Sequence, residues 1–216
     1  MRFGAERMVI SMKVLMLNGS VRKNGNTNAA LLEIARVLKD HGIDSEIVYL
    51  EEPVRDCIGC GGCTEEGCRF GDDGVNEFIK KAKDADGFIF GTPVYYAHPS
   101  GRIMSFLDRV FYSGSSVFKF KPAAAVACAR RAGTTASFDV LNKYFGISGM
   151  LTVGSSYWNV IHGRTPGEAI SDEEGMQTMR NIANNMAWIM KCIEAGKEKN
   201  ISAPSFEKGA RTSFIR

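Results

Sequence analysis

At 216 residues, 44% apolar and 24% charged, the chain has the composition of one soluble globular domain with a sizeable core. Its formal net charge of +3 is too small to argue for a nucleic-acid or anionic-membrane partner, and no apolar run approaches the roughly 20 residues that span a bilayer. Six cysteines, four of them in one short loop, lead to the expectation of a cytoplasmic protein with metal or redox chemistry rather than a secreted disulfide scaffold.

In chain order, residues 1–11 read as a peripheral extension, with Met8 and Met12 as alternative starts. The run KVLML at 13–17 predicts a first strand. Leu31, Ile34, Ala35 and Leu38 then repeat at helical spacing, with Gly42 as the stop and His41 closing the helix. EIVYL at 46–50 predicts the second strand. Val75, Phe78, Ile79 and Ala82 mark a helix with Asp73 as its N-cap. GFIFG at 87–91 is the third strand; Ile103, Phe106, Leu107 and Val110 follow as a helix with Pro99 near its start. AAAVACA at 123–129 and GMLTVGS at 149–155 complete five strands, and Met176, Met179, Ala183, Met186 and Met190 line one face of a long last helix. The strands are continuous apolar runs, as expected when both faces are covered. The pattern predicts an α/β three-layer sandwich with a five-stranded parallel sheet over residues 12–195, and a polar tail at 196–216.

In such sheets ligands sit beyond the carboxyl ends of the strands. The first such loop, GSVRKNGNTN at 19–28, runs into a helix N-terminus, where free N–H groups and the helix dipole favour an anion. Ser20, Asn26 and Thr27 add neutral donors and Arg22 a charged fork, while Gly19 and Gly25 let the backbone close on a small tetrahedral group. Neither G-x-x-x-x-G-K-[ST] nor G-x-G-x-x-G is present, which argues against a nucleoside triphosphate loop and the usual dinucleotide loop.

GSVRKNGNT resembles the phosphate loop of the flavodoxin-like NAD(P)H-dependent FMN reductases, with Val21 in place of the usual proline. GTPVYYAHPSGRIMSFLDRVFYSG from residue 91 is similar to that family's second flavin loop and following helix, and ACARRAGTT to its third. The resemblance spans about residues 13–195. It implies that FMN is held by Ser20, Arg22, Asn26, Thr27 and Asn28 at the phosphate, and by Pro93, Val94, Tyr95 and Tyr96 at the ring. Arg130, Arg131 and Gly133 supply a cationic edge and backbone donors. NAD(P)H is the implied hydride source and a quinone, free flavin or other small molecule the acceptor. No nucleophile–base pair or carboxylate dyad stands out, as expected where the cofactor carries the chemistry. His98 adjoins the flavin loop; His162 lies in YWNVIHGRTPG.

Cys57, Cys60, Cys63 and Cys68 have the spacing C-x2-C-x2-C-x4-C. Thiolates so spaced on a glycine-rich loop can ligate one [4Fe–4S] cluster; reduced thiols, zinc or a redox disulfide remain open on the residues alone. The spacing resembles that of the iron–sulfur flavoproteins, a branch on the same fold, and implies as an alternative a relay of single electrons between protein partners; a flavodoxin-like, non-catalytic FMN carrier is a third reading. Cys128 and Cys192 read as buried thiols. Tyr157, Trp158, Val160 and Ile161 form an apolar group that, with the family resemblance, leads to the expectation of a homodimer or homotetramer with its interface near the flavin.

Overall fold

A computed structural model describes residues 12–50, 53–64, 66–207, 209–212 and 214; the extension expected at 1–11 lies outside them. The elements are β1 Lys13–Asn18, α1 Asn26–Asp40, β2 Asp44–Tyr49, α2 Val75–Lys83, β3 Gly87–Tyr95, β4 His98–Pro99, α3 Gly101–Gly114, β5 Pro122–Ala129, α4 Thr134–Ile147, β6 Leu151–Thr152, β7 Val160–His162 and α5 Glu173–Glu198. The sheet runs β2-β1-β3-β5-β6 with every neighbour parallel; β7 also pairs with β5, and β4 is an antiparallel hairpin partner of β3.

Strand alternation divides the core in two. Val14, Met16, Ile89, Ala124 and Val126 face α1 and α5, while Leu15, Leu17, Phe88, Phe90, Ala123 and Ala125 face α2, α3 and α4. The second layer is aromatic: Phe78 meets Phe106 edge-on at 5.5 Å and Phe88 meets Phe118 at 4.9 Å. Each such ring contributes about 1.5–3 kcal/mol by burial alone. The methionine face of α5 closes the first layer, with Met179 and Met186 fully buried. That face is core, not an intermolecular surface.

Several expectations change. The fifth strand, expected over 149–155, is only Leu151–Thr152, and the edge resumes as β7. Between them the chain leaves the sheet and returns. Val153 N–H donates to Ala123 O at 2.8 Å, Asn159 O accepts from Ala127 N–H at 3.0 Å, and Asn159 Nδ2 bridges to Val153 O at 3.3 Å. Val160 and Ile161 therefore belong to the sheet, with Ile161 fully buried; only Tyr157 and Trp158 stay exposed, edge to face at 4.5 Å. Gly74, left-handed at φ 81, occupies the N-cap position of α2 expected for Asp73, whose carboxylate is engaged by Arg109 instead. α5 runs to Glu198, past the boundary at 195, and Phe206 of the tail docks against Phe120 at 4.9 Å, beneath Lys119. Cys192 is exposed rather than buried.

Candidate functional site

β1 lies between β2 and β3, so the chain turns to opposite sides after β1 and after β2, and the carboxyl ends open a crevice at that reversal. Three loops meet there. Gly19 N–H donates to Gly91 O at 2.8 Å, Ser100 Oγ to Gly19 O at 2.9 Å and Ser100 N–H to Thr92 Oγ1 at 3.0 Å, which stitches the first loop to the second. Ser100 Oγ also caps α3, accepting from Ile103 N–H at 3.4 Å. The third loop joins through Gly133, so close to the second that a Cβ there would stand 2.6 Å from Ala97 Cα.

The first loop is folded by its own polar groups. Ser20 N–H donates to Asn18 Oδ1 at 2.9 Å, Arg22 N–H to Ser20 Oγ at 3.1 Å and Gly25 N–H to Arg22 O at 3.0 Å. α1 then starts from Gly25 in extended conformation with no side-chain cap, so its leading N–H groups face the loop without a side-chain acceptor. Arg22 is exposed beside them and Ser20 is buried. Asn26 and Asn28 use their side-chain oxygens within the protein. Asn26 Oδ1 accepts from Ala169 N–H at 3.1 Å, and Asn28 Oδ1 accepts from Tyr49 Oη at 2.8 Å and from Asn18 Nδ2 at 3.4 Å. Both oxygens brace the loop from behind. Thr27 is buried and shares a hydrogen bond with Cys128, whose thiol burial pushes up to about 12.

The second loop is a two-residue hairpin, with Val94 opposite Pro99 and Tyr95 opposite His98. Tyr96 and Ala97 form its tip at φ 50 and 58, the left-handed pair that such a turn demands and that glycine or asparagine usually supplies. Two side-chain-bearing residues held there store strain of order 1–3 kcal/mol each. Pro93 and Val94 are half-buried, Tyr95 is exposed and Tyr96 stands wholly in solvent. Arg130 and Arg131 are exposed on the third loop. His162, at the end of β7, donates its backbone N–H to Asp172 Oδ2 at 2.7 Å, while Asp172 Oδ1 caps α5. His41 ties α1 to α5 through Asn184 at 2.8 Å.

The cysteine loop lies after β2 on the α2–α3 side. Cys57, Cys60, Cys63 and Cys68 all line one cavity of about 160 Å³, with Phe70, Arg109 and Tyr112. Burial and then the charges of Cys68, Cys57 and Cys60 raise the Cys63 thiol above its ordinary range, so the four sulfurs sense one another. Among the described residues no group of three or more His, Cys, Asp or Glu is drawn together tightly enough for a single metal ion. Cys68 is clamped, its N–H donating to Asn76 Oδ1 at 2.7 Å and its carbonyl accepting from Asn76 Nδ2 at 2.8 Å. Arg109 Nε donates to Cys68 Sγ at 3.3 Å. Burial disfavours the Arg109 charge, but Asp73 and Cys68 outweigh that and hold its pKa above the ordinary value. Arg109 belongs to no motif, although an arginine between Phe106 and Val110 on an apolar helical stripe is a visible signal in the sequence.

Sheet order and crevice together define a flavodoxin-like protein whose carboxyl-end loops meet beside the uncapped N-terminus of α1. The chain matches the NADPH-dependent FMN reductase family over residues 12–165 and belongs to it; the protein is an FMN-dependent oxidoreductase. It is 33% identical over 193 residues to an iron–sulfur flavoprotein of Methanocaldococcus jannaschii, covering 85% of this chain and 100% of the relative. An iron–sulfur flavoprotein of Methanosarcina thermophila is 27% identical over 193 residues, covering 87% and 100%. An NAD(P)H:quinone oxidoreductase from Methanothermobacter marburgensis shares the fold at a TM-score of 0.61 and 16% identity, covering 82% of this chain and 97% of the other. No helix among the described residues is long and apolar enough to cross a membrane.

Proposed function

We propose that the protein holds FMN at the β1–β3 crevice and a [4Fe–4S] cluster on Cys57, Cys60, Cys63 and Cys68, taking hydride from NAD(P)H and passing electrons singly to a partner. When bound, FMN accepts a hydride and releases electrons one at a time, and a cluster carries single electrons. The observation that carries the reading is the convergence of all four cysteines on one cavity, floored by a buried guanidinium. The sheer number of thiolate charges a cluster needs is more tolerable beside that cation. The name of the 33% relative supports it from a separate direction.

At the flavin end the residues bind and orient. Uncapped N–H groups of α1 and the Arg22 fork receive the phosphate. Asn26 and Asn28 keep the loop shaped by their internal bonds. The Tyr96–Ala97 tip offers rigid backbone groups to the polar edge of the ring. Tyr95 supplies an exposed apolar face beside it. Arg130 and Arg131 place positive charge where a reduced, anionic ring or a nucleotide phosphate would be stabilised. A small acceptor such as a quinone is the second reading, favoured by the exposure of Tyr95 and Tyr96, which leaves the platform open to solvent.

The test is anaerobic purification followed by iron, acid-labile sulfide and flavin analysis with a visible spectrum. Iron and sulfide in equal amounts beside FMN support the reading, and Cys60→Ser removes the broad cluster absorbance and leaves the flavin bands. Full FMN with no iron after reconstitution refutes the cluster. NADPH oxidation by quinone in that iron-free protein then supports the second reading.

A further inference from the structure

The cysteine cavity is lined by Arg109, one half of a charged pair with Asp73 that neither hydride transfer nor flavin binding uses. Arg109 is 1% exposed, on the face of α3 that also buries Phe106 and Val110. Its guanidinium donates to Cys68 Sγ at 3.3 Å, to the Arg55 carbonyl at 3.3 Å, and also to the Phe70 carbonyl and Asp73 Oδ2. The Asp73 side chain is 9% exposed, and its Oδ1 is buried with no partner among the described residues. The four cysteines are therefore not equivalent. Cys68 is fixed by Asn76 through its backbone and by Arg109 through its sulfur, whereas Cys57, Cys60 and Cys63 are exposed.

A buried ion pair is a weak source of stability, since apolar residues of similar volume commonly serve as well. Its presence on a ligand sulfur points elsewhere. Iron–sulfur potentials are set by net charge, hydrogen bonds to the sulfurs and exposure. An added electron is lower in energy beside a permanent cation and higher beside a carboxylate. Resting on the cluster reading above, we propose that Arg109 is a positioning residue: it makes Cys68 the anchored ligand and raises the reduction potential of the cluster, while Asp73 limits that rise. The two residues set the potential from opposite sides.

The experiment is a redox titration of full-length protein, reconstituted anaerobically with iron and sulfide, with the cluster followed by electron paramagnetic resonance and the FMN couple in the same sample as internal reference. Arg109→Gln shifts the cluster potential down, Arg109→Lys shifts it less, and Asp73→Asn shifts it up; the FMN potential moves less than the cluster's in each. Opposite shifts from the two partners separate this role from a structural one, because a loosened loop loses iron whichever partner is changed. If Arg109→Gln does not fold, Arg109→Lys and Asp73→Asn carry the test. Wild-type potentials in those two iron-loaded variants refute the inference and leave the cluster reading standing. Failure of both to hold iron when wild type does so also refutes it, in favour of a structural role. A wild-type chain that takes up no iron overturns the cluster reading and the inference together.

Discussion

Gly133→Ala tests whether the second and third loops act as one flavin-holding unit. Gly133 precedes α4 at φ +89, where alanine costs about 1–2 kcal/mol relative to glycine. Its Cβ would stand 2.6 Å from Ala97 Cα, 2.9 Å from Val94 Cγ1 and 3.0 Å from Ala97 Cβ. The nearest of these is backbone, in a turn already held at φ 50 and 58, so no side-chain rotation relieves it. Displacing packed atoms of this kind costs about 1–3 kcal/mol. The total expected is about 2–5 kcal/mol, divided between the apoprotein and FMN binding because the atoms that yield belong to the ring platform. Urea unfolding of the apoprotein and fluorescence titration with FMN measure the two parts. Gly101→Ala is the control: nothing lies within 4 Å of its Cβ position at the start of α3, and it should gain up to about 1 kcal/mol with FMN affinity unchanged. Wild-type stability and FMN affinity in Gly133→Ala would refute the coupling of the loops.

Arg22→Ala should weaken FMN by about 1.5–3 kcal/mol, the range of a charge-assisted hydrogen bond, with apoprotein stability unchanged; equal affinity by titration removes Arg22 from the site. Hydrogen bonds from Lys13 at 2.5 Å and Lys81 at 2.8 Å hold the Glu46 carboxyl below its ordinary value of 4.5. A depressed carboxyl stabilises the fold above its unfolded pKa and loses that contribution as pH falls through the folded value. The stability gap between wild type and Glu46→Gln should therefore be full at neutral pH and shrink below about pH 4.5; a gap constant from neutral pH to about pH 3 refutes the assignment. We propose that exposed Tyr157 and Trp158 meet a second copy of the chain. Light scattering should then show a homo-oligomer that Trp158→Ala weakens, and a monomeric wild type at micromolar concentration would end the idea.

The interior was legible in the sequence because burial and spacing agree. Leu31, Ile34 and Leu38 sit at helical intervals and are fully buried, and AAAVACA at 123–129 is a continuous apolar run because β5 is covered on both faces. The sheet edge was harder. Residues 151–152 and 160–162 both pair with β5, but the chain leaves the sheet between them, and no local pattern distinguishes an interrupted strand from a strand plus loop. Val160 and Ile161, expected with Tyr157 and Trp158 at an interface, are sheet residues for that reason. The N-cap of α2 failed for a related reason: Asp73 has the right chemistry at the right place, but a guanidinium from α3, distant in sequence, takes its carboxylate.

The functional loops divide the same way, by whether a residue's partner is local. Glycines, serine and arginine in the first loop announce an anion site because the helix N-terminus that completes it follows immediately. Asn26 and Asn28 look equally suited to a phosphate. Their oxygens also serve Ala169 and Tyr49, partners from the α5 approach and from β2, which no inspection of residues 19–28 reveals. The Tyr96–Ala97 tip runs against its own residue types, since neither favours positive φ. It is held from outside by Gly133, 36 positions later, whose missing Cβ admits the turn. A conformation opposed by local preference and enforced from a distance is where strain serves a site rather than a fold. The cysteine loop obeys the same rule. Its spacing shows that four thiols can converge, but only α3 shows that Cys68 accepts a hydrogen bond from a buried guanidinium while the other three lie exposed on the same cavity; in the cluster reading proposed above, that asymmetry lets one loop both hold a charged group and set its potential.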